Sequence, residues 1–192
     1  STLKYIQDYP EINIENEKGH KLDITIARES KNTKKIIIYS PNENFSEELR
    51  KIKFYESSEV GLIHLFHSED YYWICRYLIT PAEVEEYLNF RERLFEFNRE
   101  AGNLLPEQYF LGHFLETLET DHFNAMYISN LTKYKQNTED FDISLLIENF
   151  NKNITLTNSQ TEYYPVVREI SKLNRSELAE FKKRLSISVE KL

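Results

Sequence analysis

The feature that most constrains this chain is a change of hydrophobic period near Ser68. Before that point apolar residues recur at every second position. After it they recur at steps of three and four, and the pattern hardly changes back. Such a sequence predicts an α+β protein in which an N-terminal, mostly antiparallel sheet is followed by a C-terminal helical region. The division expected is a sheet-rich part over 1–67 and a helical part over 68–192, packed together as one unit.

Within the first part, Ile12 and Ile14, then Leu22, Ile24 and Ile26, alternate with polar neighbours, and Ile36 to Tyr39 is a continuous apolar run. This predicts a three-strand meander, turning at 16–20, where Gly19 permits positive φ, and again at 30–33. Ser46 can cap a helix to about Phe54, with a strand over 51–55 as the competing reading. Val60 to Phe66 is apolar on both faces, the mark of a central strand.

Ser68 is expected to cap a helix reaching Leu78. Thr80, Pro81 and Glu83 form a capping box with proline at the first helical position, which opens a helix to about Asn98. Further helices are predicted from Pro106 to about Leu118, over Phe141–Phe150, around Pro165–Lys172, and from the Asn174/Glu177 box to the end. The stretch Phe123–Ile128 fits either period, and 151–161 reads as a loop.

Composition limits the setting. No run approaches the roughly 20 apolar residues of a membrane span, and no charged-then-apolar signal segment opens the chain. The single cysteine, Cys75, lies in an apolar run, which predicts a buried thiol and a reducing, cytoplasmic compartment. A net charge of −8 disfavours nucleic acid and suits a basic protein partner. The Asn, Lys and Ile usage is that of an AT-rich bacterial genome. The chain starts at Ser1, its one methionine is Met126, and the stripe Leu178, Phe181, Leu185, Val189 and Leu192 continues without a stop signal. These features predict a piece of a larger protein, with a separate protein or the remaining domains of the parent chain as its partner.

Residues able to carry chemistry are few. His64, His67 and Asp70 are close enough in sequence to suggest a metal, but on a strand residues three apart point to opposite faces. Four scattered glycines cannot build a phosphate-cradling loop, which excludes nucleotide hydrolysis by that route, and no cofactor is expected. Tyr71, Tyr72 and Trp73 suit core or interface packing. The acidic run Glu83–Glu86 suits a solvated first helical turn.

The order of elements (a helix at Thr2–Tyr9, three strands, a helix, a strand, a helix) resembles the core topology of the restriction-endonuclease-like nucleases over about the first 80 residues. The resemblance implies a metal-dependent nuclease with Asp23 as the acid on the second strand and Glu29 and Lys31 as the Glu-x-Lys pair. Six residues of strand separate Asp23 from Glu29 by about 20 Å, too far to share a metal, so a degenerate, inactive core fits as well. The leading expectation is a non-enzymatic interaction or regulatory domain. The alternatives are the nuclease and an acidic inhibitor of a basic protein.

Overall fold

The computed structural model describes residues 8–15, 17, 19, 21–25, 33–40, 51–97, 105–117, 122–134, 141–154 and 161–189. The fold is α+β. In chain order its elements are β1 (Asn13–Glu15), β2 (Lys21–Asp23), β3 (Ile36–Tyr39), β4 (Phe54–Ser57) and β5 (Gly61–His67), then α1 (Ser68–Tyr77), α2 (Pro81–Phe97) and α3 (Glu107–Glu116). A 3-10 helix (Ala125–Tyr134), α4 (Ser144–Asn153), α5 (Tyr164–Ile170) and α6 (Arg175–Val189) complete it. No helix among the described residues is long and apolar enough to cross a membrane. The chain forms two compact units, Ser1–Thr33 with Asp142–Ser171, and Lys34–Phe141 with Lys172–Leu192.

In the first unit β1 and β2 make a short antiparallel hairpin with Ile14 opposite Leu22. The predicted second strand was to run to Ile26, but β2 stops at Asp23. The Asp23 carboxylate explains the stop, because it accepts hydrogen bonds from the backbone N–H groups of Ile12 and Thr25 and from the Thr25 hydroxyl. A side chain bonded to the backbone two residues on turns the chain away from the ladder.

In the second unit the strand order is β3-β5-β4. The expected meander is therefore not what forms: β3 lies parallel to β5, with Ile36 beside His64 and Ile38 beside Phe66. Both strands are continuous apolar runs, the pattern that parallel strands share. β5 is the middle strand, as its two apolar faces predict, and β4 returns antiparallel to it. Gly61, at φ +75°, closes that hairpin in a conformation other residues rarely adopt. The helix expected through Phe54 gives way there to β4, while 41–50 lie outside the described residues.

Three of the helices start where side chains dictate. His67, not Ser68, caps α1, its Nδ1 accepting from the Glu69 N–H at 3.2 Å. At α2 the Thr80 hydroxyl accepts from the Glu83 N–H, and the Glu83 carboxylate returns to the Ile79 N–H. At α6 the Asn174 side-chain oxygen accepts from the Glu177 N–H and the Glu177 carboxylate accepts from the Asn174 N–H. Arg175 then fastens α6 by donating to the Glu83 carboxylate and to the Tyr77 carbonyl. Glu83 is thus buried, contrary to a wholly solvated acidic run.

The core gathers Phe66, Ile74, Tyr87, Phe90, Leu111 and Phe114 where α1, α2 and α3 meet β5. α1 turns Ile74 and Tyr77 inward and leaves Cys75 exposed, so the buried thiol expected from the apolar run is not found. A helix presents a cysteine next in sequence to a core residue about 100° away from it. On α6, Leu178 is buried and Phe181 and Leu185 are half-buried, whereas Leu192 and the Val189 side chain lie outside the described residues.

Candidate functional site

The most concentrated chemistry in the second unit is a network of charged side chains beneath the sheet. Lys53 precedes β4, His64 lies on β5, Asp70 on α1, Tyr87, Arg91 and Glu92 on α2, and Glu107 opens α3. All except the half-buried Glu92 are buried. Tyr87 and Arg91 are four apart, so one face of α2 presents both to Glu107. The Glu107 carboxylate accepts from the Tyr87 hydroxyl at 2.6 Å and from Arg91 at 2.7 and 3.2 Å. Lys53 Nζ lies 3.3 Å from Glu107 and 3.9 Å from Asp70.

Arg91 is the centre of this network. A guanidinium carries five N–H donors and no acceptor. Here Nε donates to Glu107, Nη1 to the Lys53 carbonyl and to His64 Nδ1, and Nη2 to the Leu65 carbonyl and to Glu107. Each donor has a destination. The guanidinium is also sandwiched between the rings of Phe54 at 4.5 Å and Phe66 at 4.1 Å, where cation–π attraction operates out of water.

The titration behaviour follows from these contacts. Burial would raise the Glu107 carboxyl, but Arg91 and Lys53 outweigh it and hold the pKa at about 2. Burial and then the Glu107 charge push the Tyr87 phenol well above its ordinary value. His64 is lowered to about 4, by burial first and then by Arg91. Its Nδ1 faces a donor and its Nε2 lies 2.8 Å from the Glu92 carboxylate, so the neutral ring carries its proton on Nε2. For Glu92, burial opposes ionisation, but the bonds from Lys34 and His64 prevail and its carboxyl is lowered.

The charges cancel in place, Lys53 and Arg91 against Asp70 and Glu107, and Lys34 against Glu92. A small hollow adjoins the network, lined by Lys53, Phe54, Arg91, Leu94, Phe95 and Phe110, with a cavity volume of only about 10 Å³. That is room for about one water. What the arrangement does is tie α2 and α3 to the strands through the Lys53 and Leu65 carbonyls.

The residues singled out from sequence do not converge. Asp23 belongs to the hairpin of the first unit, and Glu29 and Lys31 lie outside the described residues. Both nitrogens of His64 are engaged. His67 uses Nδ1 as an acceptor at the start of α1, and its Nε2 has no hydrogen-bond partner among the described residues. Its ring stands at 85° to that of Tyr39. Asp70 faces Lys53. Among the described residues no group of three His, Cys, Asp or Glu side chains could hold a metal. His113 is packed between the rings of Phe90 and Phe123, and its Nδ1 accepts from the Asn124 N–H.

Sequence reasoning missed Lys53, Tyr87, Arg91 and Glu107. The available signal was Arg91 itself, a charge placed on the α2 stripe of Tyr87, Leu88 and Leu94. No family model matches this chain, and comparisons with curated proteins and with solved structures likewise found no match.

Proposed function

We propose that this chain is a non-enzymatic protein-interaction or regulatory domain of a larger, cytoplasmic, bacterial protein, which works through its surface. The observation that carries the reading is the second face of the β3-β5-β4 sheet. Register sets Ile37 beside Leu65 and Tyr55 beside Ile63 on that face. Ile37 and Tyr55 are exposed, and Ile63 and Leu65 are half-buried. The opposite face carries Phe54, His64 and Phe66, all buried. A contiguous apolar face with an exposed tyrosine is the composition of protein interfaces. The buried network supports the same reading, because its donors and charges are used up in holding the fold.

The partner is a separate protein or the rest of the parent chain, and a net charge of −8 favours one with a basic surface. An acidic inhibitor of a basic protein is the form this reading takes when the partner is an enzyme. Affinity capture from the native host with wild type and with Tyr55→Glu tests it. A protein cross-linked to the sheet face of wild type and lost with Tyr55→Glu, at unchanged thermal stability, supports the reading. Equal capture by both, or Mg²⁺-dependent cleavage of DNA by the purified chain, contradicts it.

A further inference from the structure

The exposed strand β3 bears a second feature, along its edge. Ile36, Ile37 and Ile38 are 36, 48 and 48% exposed. Ile36 and Ile38 share a face with the buried His64 and Phe66, whereas Ile37 lies on the other face. Three successive isoleucines exposed across both faces are open sideways. A helix docked on one face would cover either Ile37 or the pair Ile36 and Ile38, but a neighbouring strand covers all three.

The backbone agrees. The His64 N–H donates to the Lys35 carbonyl at 2.8 Å. With the parallel register this turns the main-chain groups of Ile37 towards β5 and those of Ile36 and Ile38 outwards. Among the described residues β3 pairs with β5 alone. An apolar edge with free N–H and C=O groups is a template for another strand, and the lysines that would deter pairing, Lys34 and Lys35, stand only at its entrance.

We infer that β3 pairs antiparallel with β3 of a second copy of this chain, giving a two-fold dimer with a continuous sheet β4-β5-β3-β3-β5-β4. The strand is self-complementary in one register. Setting Ile37 opposite its own symmetry mate places Ile36 of each copy opposite Ile38 of the other, and these are the residues whose donors and acceptors face outwards. Those pairs exchange four main-chain hydrogen bonds without using any residue beyond β3. Lys35 of each copy then lies beside Tyr39 of the other. Parallel pairing would set Lys35 against Lys35, a destabilising like-charge contact. Two-fold pairing also closes the assembly, since the β3 edge of each copy is used up by that of the other.

Sedimentation equilibrium of the full chain across a wide concentration range tests the inference. A reversible monomer–dimer equilibrium is expected. Ile37→Lys and Ile37→Glu, which place like charges across the axis, should each weaken it at least about tenfold, and mixing the two variants should restore a dimer. A monomeric wild type, variants that dimerise as well as wild type, or a mixture that stays monomeric overturns it. A second measurement does not depend on charge. Opposed residues of a non-hydrogen-bonded antiparallel pair lie about 4.5 Å apart at Cα, within disulfide range. Ile37→Cys on a Cys75→Ser background should therefore oxidise to a covalent dimer while Tyr55→Cys on that background does not. Cross-linking through Tyr55→Cys instead would mean that the copies meet by their faces and would refute edge pairing.

Discussion

Arg91 and Glu107 form a two-point ion pair, Nε to Oε1 at 2.7 Å and Nη2 to Oε2 at 3.2 Å, with both side chains buried. Taking two charges out of water is costly, and their attraction offsets that cost only when geometry is good and the remaining donors are satisfied. Both conditions hold here. Because Arg91 also donates to the Lys53 and Leu65 carbonyls, the pair fixes how α2 and α3 sit against β5 and the segment leading into β4.

Removing one partner strands the other. Arg91→Ala takes the guanidinium from Glu107, which keeps only Tyr87 and Lys53, and removes a donor from the Lys53 and Leu65 carbonyls, and should cost about 3–5 kcal/mol in chemical denaturation. Lys34→Ala breaks a partly exposed pair with Glu92 and should cost no more than about 1 kcal/mol. Similar losses for the two variants would mean that Arg91 is not central.

Acid should unfold this chain in two windows. His64 and Glu107 both have folded-state pKa values below their ordinary ones, so in each window the unfolded chain binds more protons and stability rises with pH. The His64 contribution is present above about 6.5 and is lost as pH falls towards 4. That of Glu107 is present above 4.5 and is lost towards about 2. Denaturation midpoints followed with pH should decline from the upper window, and His64→Gln should flatten that part alone. A wild-type curve flat from pH 6.5 to 4.5 would contradict the His64 assignment.

Gly112 sits in α3, where helix propensity favours alanine by about 1 kcal/mol. A Cβ there would lie 2.8 Å from the Tyr127 carbonyl oxygen and 2.9 Å from Ile128 Cα, both backbone atoms of the 3-10 helix. Gly112→Ala should therefore destabilise, by about 1–3 kcal/mol. A thermal midpoint raised by the substitution would show that this close approach does not exist.

Glu83 serves two helices at once, closing the α2 capping box and receiving Arg175 of α6. Thr80→Ala should cost about 1 kcal/mol, and Glu83→Ala more. A double-mutant cycle between Glu83 and Arg175 should give a coupling of about 0.5–3 kcal/mol. Additive losses would mean that α6 is not held there.

Local signals made much of this fold legible. The Thr80/Glu83 and Asn174/Glu177 boxes fixed two helix starts because capping depends on residues within three positions. The apolar run of β5 marked an interior strand for a similar reason. Pairing was harder to read: nothing local distinguishes β3 joining β2 from β3 joining β5, a choice made by burial far along the chain. The candidate site was less legible still. Lys53, Arg91 and Glu107 come from three separate segments; Lys53 and Glu107 alone look like ordinary surface charges, and only Arg91, on the apolar stripe of α2, stands out. His64 and His67 are close in sequence, yet they serve different neighbours, Arg91 and Glu92 for one and the start of α1 for the other.

The central claim is that the buried charges are closed upon themselves and hold the fold. The Arg91 guanidinium protons report on this directly, because each N–H with its own acceptor resists both rotation and exchange. Nitrogen-resolved NMR of the full chain at neutral pH should show Arg91 Nε–H and distinct, slowly exchanging Nη protons, collapsing to averaged signals in Glu107→Gln. Averaged, rapidly exchanging Arg91 signals in wild type would mean that the network is open to solvent, and would contradict the account.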